Sequence, residues 1–197
     1  MIKYLGSKRT LVPALAQIAD LSGARTALDA FTGTTRVAQA FKALGITTSA
    51  NDVASYSRVL ADCYIATDKR QINDRELRTL LCDLEATPGD PGYFTETFCE
   101  KSRFFQPRNG ARIDAIRNRI ETEFATDPRY PILLTSLMEA ADRVDSTTGL
   151  QMAYLKQWAP RSYNDLELRV PELLDGTGTT YQRDTNALIA DPATPRF

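Results

Sequence analysis

Residues 26–68 alternate between two hydrophobic periodicities, and this alternation restricts the fold more than any other feature of the chain. A short apolar run, TALDAF, leads into the small-residue turn TGTT and then into RVAQAFKAL, whose apolar residues recur at helical spacing up to Gly45. The strand-forming segment ITTSAND comes next, and ASYSRVLADCYIATD returns to the helical pattern. Strand, helix, strand and helix within so short a stretch predict a parallel βαβα unit.

The rest of the chain predicts a set of helices inserted between two parts of one sheet. From about residue 70 helical patterns follow, among them ARIDAIRNRIETEF, with Asn109 as its predicted N-cap, and PRYPILLTSLMEAADRV. LELRV is a predicted strand, and TTYQRDTNALIA predicts the end of a strand and the start of a helix. We therefore expect an α/β fold with a βα half at 1–68, a helical insertion at 69–165 and a return to the sheet at 166–197. Only three or four strands can be counted, against roughly six or seven in a complete sheet of this kind, so we expect the sheet to be incomplete at its C terminus.

The chain has no histidine and three cysteines without paired spacing, and these counts exclude several kinds of site. A zinc site or a disulfide framework is not expected, and nucleophilic triads that use histidine are excluded. The net charge is -1, so any nucleic acid must meet a local patch rather than a general positive field. No long apolar run and no signal-peptide pattern occurs, so we expect a cytoplasmic protein with no membrane partner and no metal.

The turn between the first strand and the first helix suits a ligand with polar groups. Gly33 lets the backbone approach a ligand closely, and the helix behind it favours polar or anionic groups at its N terminus. Asp29 ends the first strand, and Asp52 ends the second about twenty residues later, where a carboxylate can accept both hydroxyls of a ribose. The pattern differs from the dinucleotide fingerprint, because Gly33 stands alone and Thr35 takes the later glycine position. A plain strand-turn-helix with a capping threonine is the alternative interpretation of the turn, and an N-cap of a helix that begins near Ser55 is the alternative role of Asp52.

Four short pieces occur along the chain in a characteristic order: KYLGSKR, DAFTGTTRVA, ANDVASYSRVLA and, after the helical insertion, YQRDTNAL. In their order and spacing they resemble the Dam-like adenine-N6-specific DNA methyltransferases over nearly the whole chain. NGARIDAIRNRI and LMEAADRVDSTTGLQMAYLKQWAPR are similar to that family's target-recognition region. The resemblance implies a Rossmann-like sheet that binds S-adenosylmethionine, and double-stranded DNA as the partner.

The resemblance also assigns cofactor-binding roles to eight positions: Tyr4, Gly6, Lys8, Asp29, Phe31, Gly33, Asp52 and Asp184. The first three match an N-terminal motif that lies against the cofactor and the flipped base. In family terms Asp29 faces the methionine amino group, Asp52 binds the ribose hydroxyls and Asp184 pairs with the adenine amino group. Thr35 stands where the family usually has a second glycine, and a β-branched residue resists a positive φ there. Lys8 has a second interpretation, as a solvated lysine near the N terminus.

The family's catalytic loop, Asp-Pro-Pro-Tyr after a hydrophobic strand, does not occur in the 197 residues. That loop accepts hydrogen bonds from the adenine amino group and stacks an aromatic ring on the flipped base. DPRY at 127–130 has the spacing but follows a helical segment, so we interpret it as a helix start with its aspartate at the N-cap and its proline at N1. Asp191 and Pro192 are weak candidates, and the catalytic residues are left unassigned.

Two groups of side chains are predicted to contact DNA. Residues 100–119 carry six cations and two acids, and three of the arginines fall at offsets that place them on one side of a helix. A solvated helix face is the alternative interpretation of that row. The predicted DNA-binding residues are Arg108, Arg112 and Arg119 in the row, and Lys156, Trp158 and Arg161 further along the chain.

Three hypotheses about function follow from these patterns. The first is a monomeric, site-specific methyltransferase that transfers a methyl group from S-adenosylmethionine to adenine N6 in DNA. The second is a truncated, catalytically inactive remnant that binds cofactor or DNA only, which the missing loop favours. The third is an α/β protein that binds a small molecule or nucleotide, which the predicted DNA-facing insertion makes less favourable.

Overall fold

The computed structural model describes residues 2, 8–148 and 155–194. Contacts divide the chain into two compact units. We call Gly6–Asn73 with Glu172–Phe197 the sheet unit, and Met1–Leu5 with Asp74–Pro171 the helical unit. In the described ranges, no helix has the length and apolar character needed to cross a membrane.

The described residues form three strands and eight α-helices. The strands are β1 (Thr26–Asp29), β2 (Thr47–Asn51) and β3 (Thr179–Tyr181). The helices are α1 (Val12–Ser22), α2 (Arg36–Ala43), α3 (Ser55–Ala61), α4 (Asp74–Glu85), α5 (Tyr93–Thr95), α6 (Pro107–Phe124), α7 (Tyr130–Arg143) and α8 (Thr185–Ala190). Helices α3 and α5 continue as π-helical turns at Asp62–Ala66 and Glu96–Glu100. Short 3-10 turns cover Lys8–Thr10, Lys69–Gln71 and Pro160–Tyr163.

The three strands form one parallel sheet in the order β1-β2-β3. Asp29 of β1 lies beside Ala50 of β2, and Asn51 of β2 lies beside Tyr181 of β3. The predicted parallel βαβα arrangement is confirmed by β1, α2, β2 and α3. Since all three strands run the same way, the loops that follow their carboxyl ends emerge at one edge of the sheet.

Small and branched apolar side chains fill the core of the sheet unit. Ala38 of α2, Ala50 of β2, and Leu60, Ile65 and Leu188 are all almost completely buried. Removal of this apolar surface from water is the main favourable contribution to folding. Helix α2 ends before Gly45, as predicted, where φ is 78°.

An isoleucine stripe on α6 forms the centre of the helical unit. Ile113, Ile116 and Ile120 are buried, as their helical spacing predicts, together with Ile132 and Leu133 of α7. The predicted α6 and α7 are therefore confirmed, each with its apolar face inside the unit.

The prediction that Asn109 caps α6 is wrong. The helix begins at Pro107 with Gln106 as its N-cap, because the fixed φ of proline suits the first helical position. Asn109 is instead buried in the first turn, and its Nδ2 donates to the carbonyl oxygens of Ser162 (3.3 Å) and Asn164 (3.0 Å). These acceptors lie more than fifty residues away in sequence, so no local pattern indicates them.

The prediction that LELRV forms a strand is also wrong. Leu166 and Leu168 are buried, as the alternation predicts, but the extended segment pairs with no strand of the described chain. Its N–H groups find side-chain acceptors: Leu168 N donates to Glu85 Oε2 (2.7 Å) and Arg169 N donates to Ser136 Oγ (3.1 Å). The alternating burial therefore does not indicate a strand here. Side chains of α4 and α7, rather than a neighbouring strand, accept the hydrogen bonds from these backbone N–H groups.

Candidate functional site

Asp29 connects the end of β1 to the start of α2. Its side chain is only 7% exposed, and Oδ2 accepts hydrogen bonds from Thr32 Oγ1 (3.1 Å) and from the backbone N–H of Ala38 (3.3 Å). The other oxygen, Oδ1, lies 3.8 Å from Lys8 Nζ, which donates to the carbonyl oxygen of Phe31 at 2.8 Å. Lys8 is thus held beside the strand end by an acid and a carbonyl, rather than freely solvated.

Asp52 joins the glycine turn to the start of α3. Its Oδ2 accepts from the N–H of Gly33 at 2.9 Å, and its Oδ1 accepts from the N–H of Ala54 at 3.0 Å. The helix begins at Ser55, as predicted, although its N-cap is Ala54 rather than Asp52. An ionised carboxylate offers about four acceptor positions, so two remain for hydroxyl groups of a ligand.

The glycine turn leaves open space above its backbone. Gly33 has φ 50°, and a Cβ built there would meet no heavy atom within 4 Å. Thr35 has φ 63° and is the one non-glycine residue with positive φ in the described ranges. The strain of that conformation, about 1–2 kcal/mol for a residue with a Cβ, is offset locally: buried Thr35 Oγ1 accepts from Gln39 Nε2 (2.7 Å) and donates to the carbonyl oxygen of Thr34 (2.7 Å).

Asn51, which no sequence pattern singles out as a site residue, is completely buried between the three strand ends. Its Nδ2 lies 3.2 Å from the carbonyl oxygen of Ala30, 3.0 Å from that of Arg183 and 3.1 Å from Thr185 Oγ1. Its Oδ1 accepts from the N–H of Arg183 at 3.1 Å. An asparagine directly before a predicted ligand-binding acid was the available signal, but its partners lie far away along the chain.

The remaining predicted cofactor residues have different surroundings. Asp184 is the N-cap of α8, where its Oδ1 accepts from Ala187 N at 3.0 Å and its side chain stays exposed. Phe31 is 68% exposed at the same edge of the sheet. Tyr4 and Gly6 lie outside the described residues.

Three of the arginines predicted to contact DNA are engaged within the helical unit. Arg112 donates to the carbonyl oxygens of Leu166 (2.9 Å) and Glu85 (2.8 Å). Arg119 binds Asp83 and Glu123, and its hydrogen bonds with these acids raise its pKa. Arg161 pairs with the buried carboxylate of Asp145 at 2.5 Å. Such contacts favour a structural role for these three guanidinium groups.

A second group of cations faces solvent. Arg103 lies over the ring of Trp158, with its Cζ 4.9 Å from the ring centroid, and its Nη1 donates to the carbonyl oxygen of Lys156 at 3.0 Å. Lys156 is exposed, and Arg108 is exposed while it contacts Asp165 and the carbonyl oxygen of Tyr163. Arginine over an aromatic ring is a favourable arrangement that holds both side chains in place.

Neither candidate for the catalytic acid follows a strand. Asp127 lies in the turn before α7 and pairs with Arg129, whose hydrogen bonds lower the pKa of Asp127. The helix N-cap is Arg129, so the predicted placement of DPRY, with its acid at the N-cap, is wrong by two residues. Asp191 follows α8, accompanied in sequence by Pro192, and a hydrogen bond from Arg183 at 2.8 Å lowers its pKa. In the described ranges no group of three or more potential metal-binding acids or cysteines was found.

The molecule is thus a mixed α/β protein with a small parallel sheet that has acids and an open glycine turn at its carboxyl edge, the edge where open α/β sheets bind their ligands. A family model described as D12 class N6 adenine-specific DNA methyltransferase matches residues 4–194. The chain belongs to this family.

Three curated relatives are similar over almost the entire chain. It is 30% identical over 206 residues to Modification methylase StsI of Streptococcus sanguinis, covering 95% of the chain and 31% of the relative. It is 31% identical over 203 residues to Type II methyltransferase M.NlaIII of Neisseria lactamica, covering 95% of the chain and 60% of the relative. It is 26% identical over 212 residues to Modification methylase LlaI of Lactococcus lactis subsp. lactis, covering 96% of the chain and 34% of the relative. The chain therefore spans 31% to 60% of the length of these relatives. No solved structure gave a significant match.

Proposed function

We propose that this chain acts in the site-specific transfer of a methyl group from S-adenosylmethionine to adenine N6 in double-stranded DNA. The observation that carries the proposal is the position of Asp29, Gly33 and Asp52 at the carboxyl edge of the parallel sheet, in a member of the adenine-N6 methyltransferase family. The three strands would then be part of a Rossmann-like sheet, with the helical unit as the target-recognition insertion. The reaction would take place in the cytoplasm, with the chain as a monomer.

The residues at the sheet edge fit the chemistry of this cofactor. When bound, S-adenosylmethionine supplies an electrophilic methyl group on a sulfonium. Asp52 has two carboxylate acceptor positions left for the ribose hydroxyls, and the open space above Gly33 admits a ligand next to the backbone. Asp29 would accept from the methionine amino group and Asp184 from the adenine amino group, with Lys8 and Phe31 beside the ligand.

Replacement of Asp52 by alanine should weaken cofactor binding at least about tenfold, because two hydrogen bonds to a charged acceptor are lost. Isothermal titration calorimetry with S-adenosylmethionine measures the effect, and we expect micromolar affinity for the wild type. The matched control is Asp20→Ala, since Asp20 is an exposed acid on α1 of the same unit. A folded wild-type sample that binds no S-adenosylmethionine would refute the proposed function.

A second candidate function is binding of cofactor or DNA without catalysis. It is favoured by the lack of an Asp-Pro-Pro-Tyr sequence in the 197 residues and by the engagement of Asp127 and Asp191 in ion pairs. Incubation with methyl-labelled S-adenosylmethionine and mixed-sequence DNA separates the two candidates. Label on adenine excludes binding alone, whereas cofactor binding without label transfer supports it.

DNA would contact the exposed cations beside Trp158 rather than the row on α6. Arg103 lies over the Trp158 ring and donates to the backbone carbonyl of Lys156, whose own side chain is exposed next to it. Arg112 and Arg119, by contrast, are engaged by groups of their own unit. Phosphates would be bound by Arg103 and Lys156, and the Trp158 ring would hold the guanidinium group of Arg103 in a fixed direction.

The change Lys156→Gln should lower DNA affinity and reduce the slope of log K against log salt concentration by about 0.9, the value for one phosphate contact. Fluorescence anisotropy with a labelled duplex at several salt concentrations measures the slope. Lys69→Gln is the control, because Lys69 is an exposed lysine of the sheet unit. Equal slopes for wild type and Lys156→Gln would show that Lys156 contacts no phosphate.

A further inference from the structure

Two buried side chains bridge the three loops that follow the strands of the sheet. Asn51 reaches the carbonyl oxygens of Ala30 and Arg183, and Thr185 Oγ1 donates to the same carbonyl oxygen of Ala30 at 2.9 Å. Asn51 Nδ2 in turn donates to Thr185 Oγ1 at 3.1 Å. We call Asn51 and Thr185 the strand-end clamp.

The clamp continues the sheet beyond the point where its strands stop pairing. The β2–β3 register ends at Asn51 and Tyr181, and the β1–β2 register ends at Asp29 and Ala50. Because β2 lies between β1 and β3, no backbone ladder can connect the two outer strands. The hydrogen bond from Thr185 to Ala30 makes that connection across the tip of β2.

Each atom held by the clamp lies one residue from a predicted cofactor acid. Ala30 follows Asp29, Asn51 precedes Asp52, and Arg183 precedes Asp184. The clamp therefore joins the backbone next to all three acids, although both of its side chains are uncharged and buried.

We propose that Asn51 and Thr185 are positioning residues that set the spacing of Asp29, Asp52 and Asp184, and thereby the affinity for S-adenosylmethionine. This inference rests on the proposed function, since it assigns those acids to the methionine, ribose and adenine parts of one ligand. A ligand that must satisfy three carboxylates at once loses affinity when one of them shifts by a fraction of an ångström.

The test begins with Thr185→Val, which keeps the shape of the side chain and removes both of its hydrogen bonds. The dissociation constant for S-adenosylmethionine, measured by calorimetry on the full chain, is expected to rise about tenfold. Thr185→Ser keeps the hydroxyl and should restore affinity to within about twofold of wild type. Asn51→Ala should weaken binding further. If Asn51→Ala does not fold, Thr185→Val still tests the inference.

Thr48→Val separates positioning from a general loss of stability. Thr48 is also a buried threonine, and its Oγ1 donates to the carbonyl oxygen of Ile46 at 2.9 Å, near the amino end of β2 and away from the carboxyl ends where the clamp lies. We expect this variant to lose a similar amount of unfolding free energy in urea titrations, with a dissociation constant unchanged within about twofold.

A double-mutant cycle identifies the route of the effect. If Thr185 acts by placing Asp184, then adding Thr185→Val to Asp184→Ala should cost clearly less affinity than Thr185→Val costs in the wild type. The clamp proposal alone is overturned if the wild type binds S-adenosylmethionine and Thr185→Val binds it equally well. It is also overturned if Thr48→Val loses as much affinity as Thr185→Val. No binding by folded wild type overturns the proposed function, and this inference with it.

Discussion

Replacement of Lys42 by methionine is expected to lower the free energy of unfolding by about 3–5 kcal/mol. Lys42 lies in the last turn of α2 with only 6% of its surface exposed. Its Nζ donates to three carbonyl oxygens, those of Tyr64 (3.0 Å), Ile65 (3.0 Å) and Thr67 (2.6 Å). All three lie at the end of the π-helical turn that continues α3, where a helix leaves its last carbonyl groups without partners of its own.

The size of the effect follows from the charge on the donor. Methionine fills a similar volume but donates no hydrogen bond, so the three carbonyl oxygens lose a charged donor inside the core. Hydrogen bonds to charged groups contribute roughly 1.5–3 kcal/mol each. The variant also no longer has to bury an ammonium group, and this saving in desolvation free energy offsets part of their sum. Burial lowers the pKa of Lys42, whereas nearby Asp68 acts in the opposite direction and favours the charged form.

Urea and thermal unfolding followed by circular dichroism measure the prediction for Lys42→Met. A loss of about 3 kcal/mol corresponds to a shift of roughly 12 °C or more in the melting temperature of a unit of this size. Lys69→Met is the control, because Lys69 is exposed and its replacement should stay within about 0.5 kcal/mol of wild type. If Lys42→Met also stays within that limit, the ammonium group contributes no net stability to α3.

The features that the sequence predicts well are those that depend on neighbours along the chain. The strand at 26–29, the turn at Gly33, the stop at Gly45 and the isoleucine stripe of α6 all follow from local periodicity or from one residue's backbone preference. Asp29 and Asp52 are positioned by the ends of adjacent parallel strands, so the topology brings them to one edge without any further information.

The features that the sequence does not predict depend on partners far away. Asn51 and Arg183 are 132 residues apart, and Lys42 and Thr67 are 25 residues apart. Arg112 looks like a surface cation by its helical position, yet its guanidinium group donates to backbone carbonyls from two other segments. Side-chain identity alone does not distinguish a cation that can bind a phosphate from one that donates to a backbone carbonyl oxygen of the protein.

Thr35 shows how tertiary structure overrides a local preference. A β-branched residue disfavours positive φ, so the sequence alone does not predict the geometry of a glycine at this position. The structure places Thr35 at φ 63° all the same, so the turn keeps the backbone geometry that a glycine would adopt. The side chain is buried in the unit rather than directed into the open space above Gly33.

In the helical unit, replacement of Asp114 by alanine is expected to lower the free energy of unfolding by about 3–5 kcal/mol. Asp114 lies on α6 and is 7% exposed. Its Oδ2 accepts from Gly92 N (2.8 Å), Thr95 N (2.8 Å) and Thr95 Oγ1 (2.7 Å), and its Oδ1 accepts from Phe94 N (2.9 Å). The carboxylate thus caps the N terminus of α5 from a neighbouring helix, and alanine would leave three buried or half-buried backbone donors without this acceptor.

Glu123→Ala is the matched control for Asp114→Ala. Glu123 lies on the same helix and forms an exposed ion pair with Arg119. Exposed pairs of this kind contribute roughly 0–1 kcal/mol, so this variant should unfold close to the wild type in urea. Equal losses in the two variants would show that the cap contributes nothing beyond a surface charge.

The contribution of Asp114 should also depend on pH, with a defined sign. Burial acts to raise the pKa of Asp114, but the hydrogen bonds from Thr95, Phe94 and Gly92 outweigh it and hold the pKa below its usual range. Since the folded-state pKa is lower than the unfolded-state value of about 3.9, the stabilisation is complete above that value and is lost as pH falls through the folded-state pKa. The difference in unfolding free energy between wild type and Asp114→Ala should therefore be constant from about pH 7 to pH 5 and become smaller below about pH 4.

Comparison of the two chains at each pH isolates Asp114 from other acids that titrate in the same range. Asp127 and Glu167 also have lowered pKa values, because Arg129 and Arg169 donate hydrogen bonds to them, and both acids are present in wild type and variant alike. Their contributions cancel in the difference, whereas that of Asp114 does not. A difference that stayed constant down to pH 2.5 would mean that the protonated carboxyl group caps α5 as well as the carboxylate, and that the charge at this helix terminus is not what stabilises it.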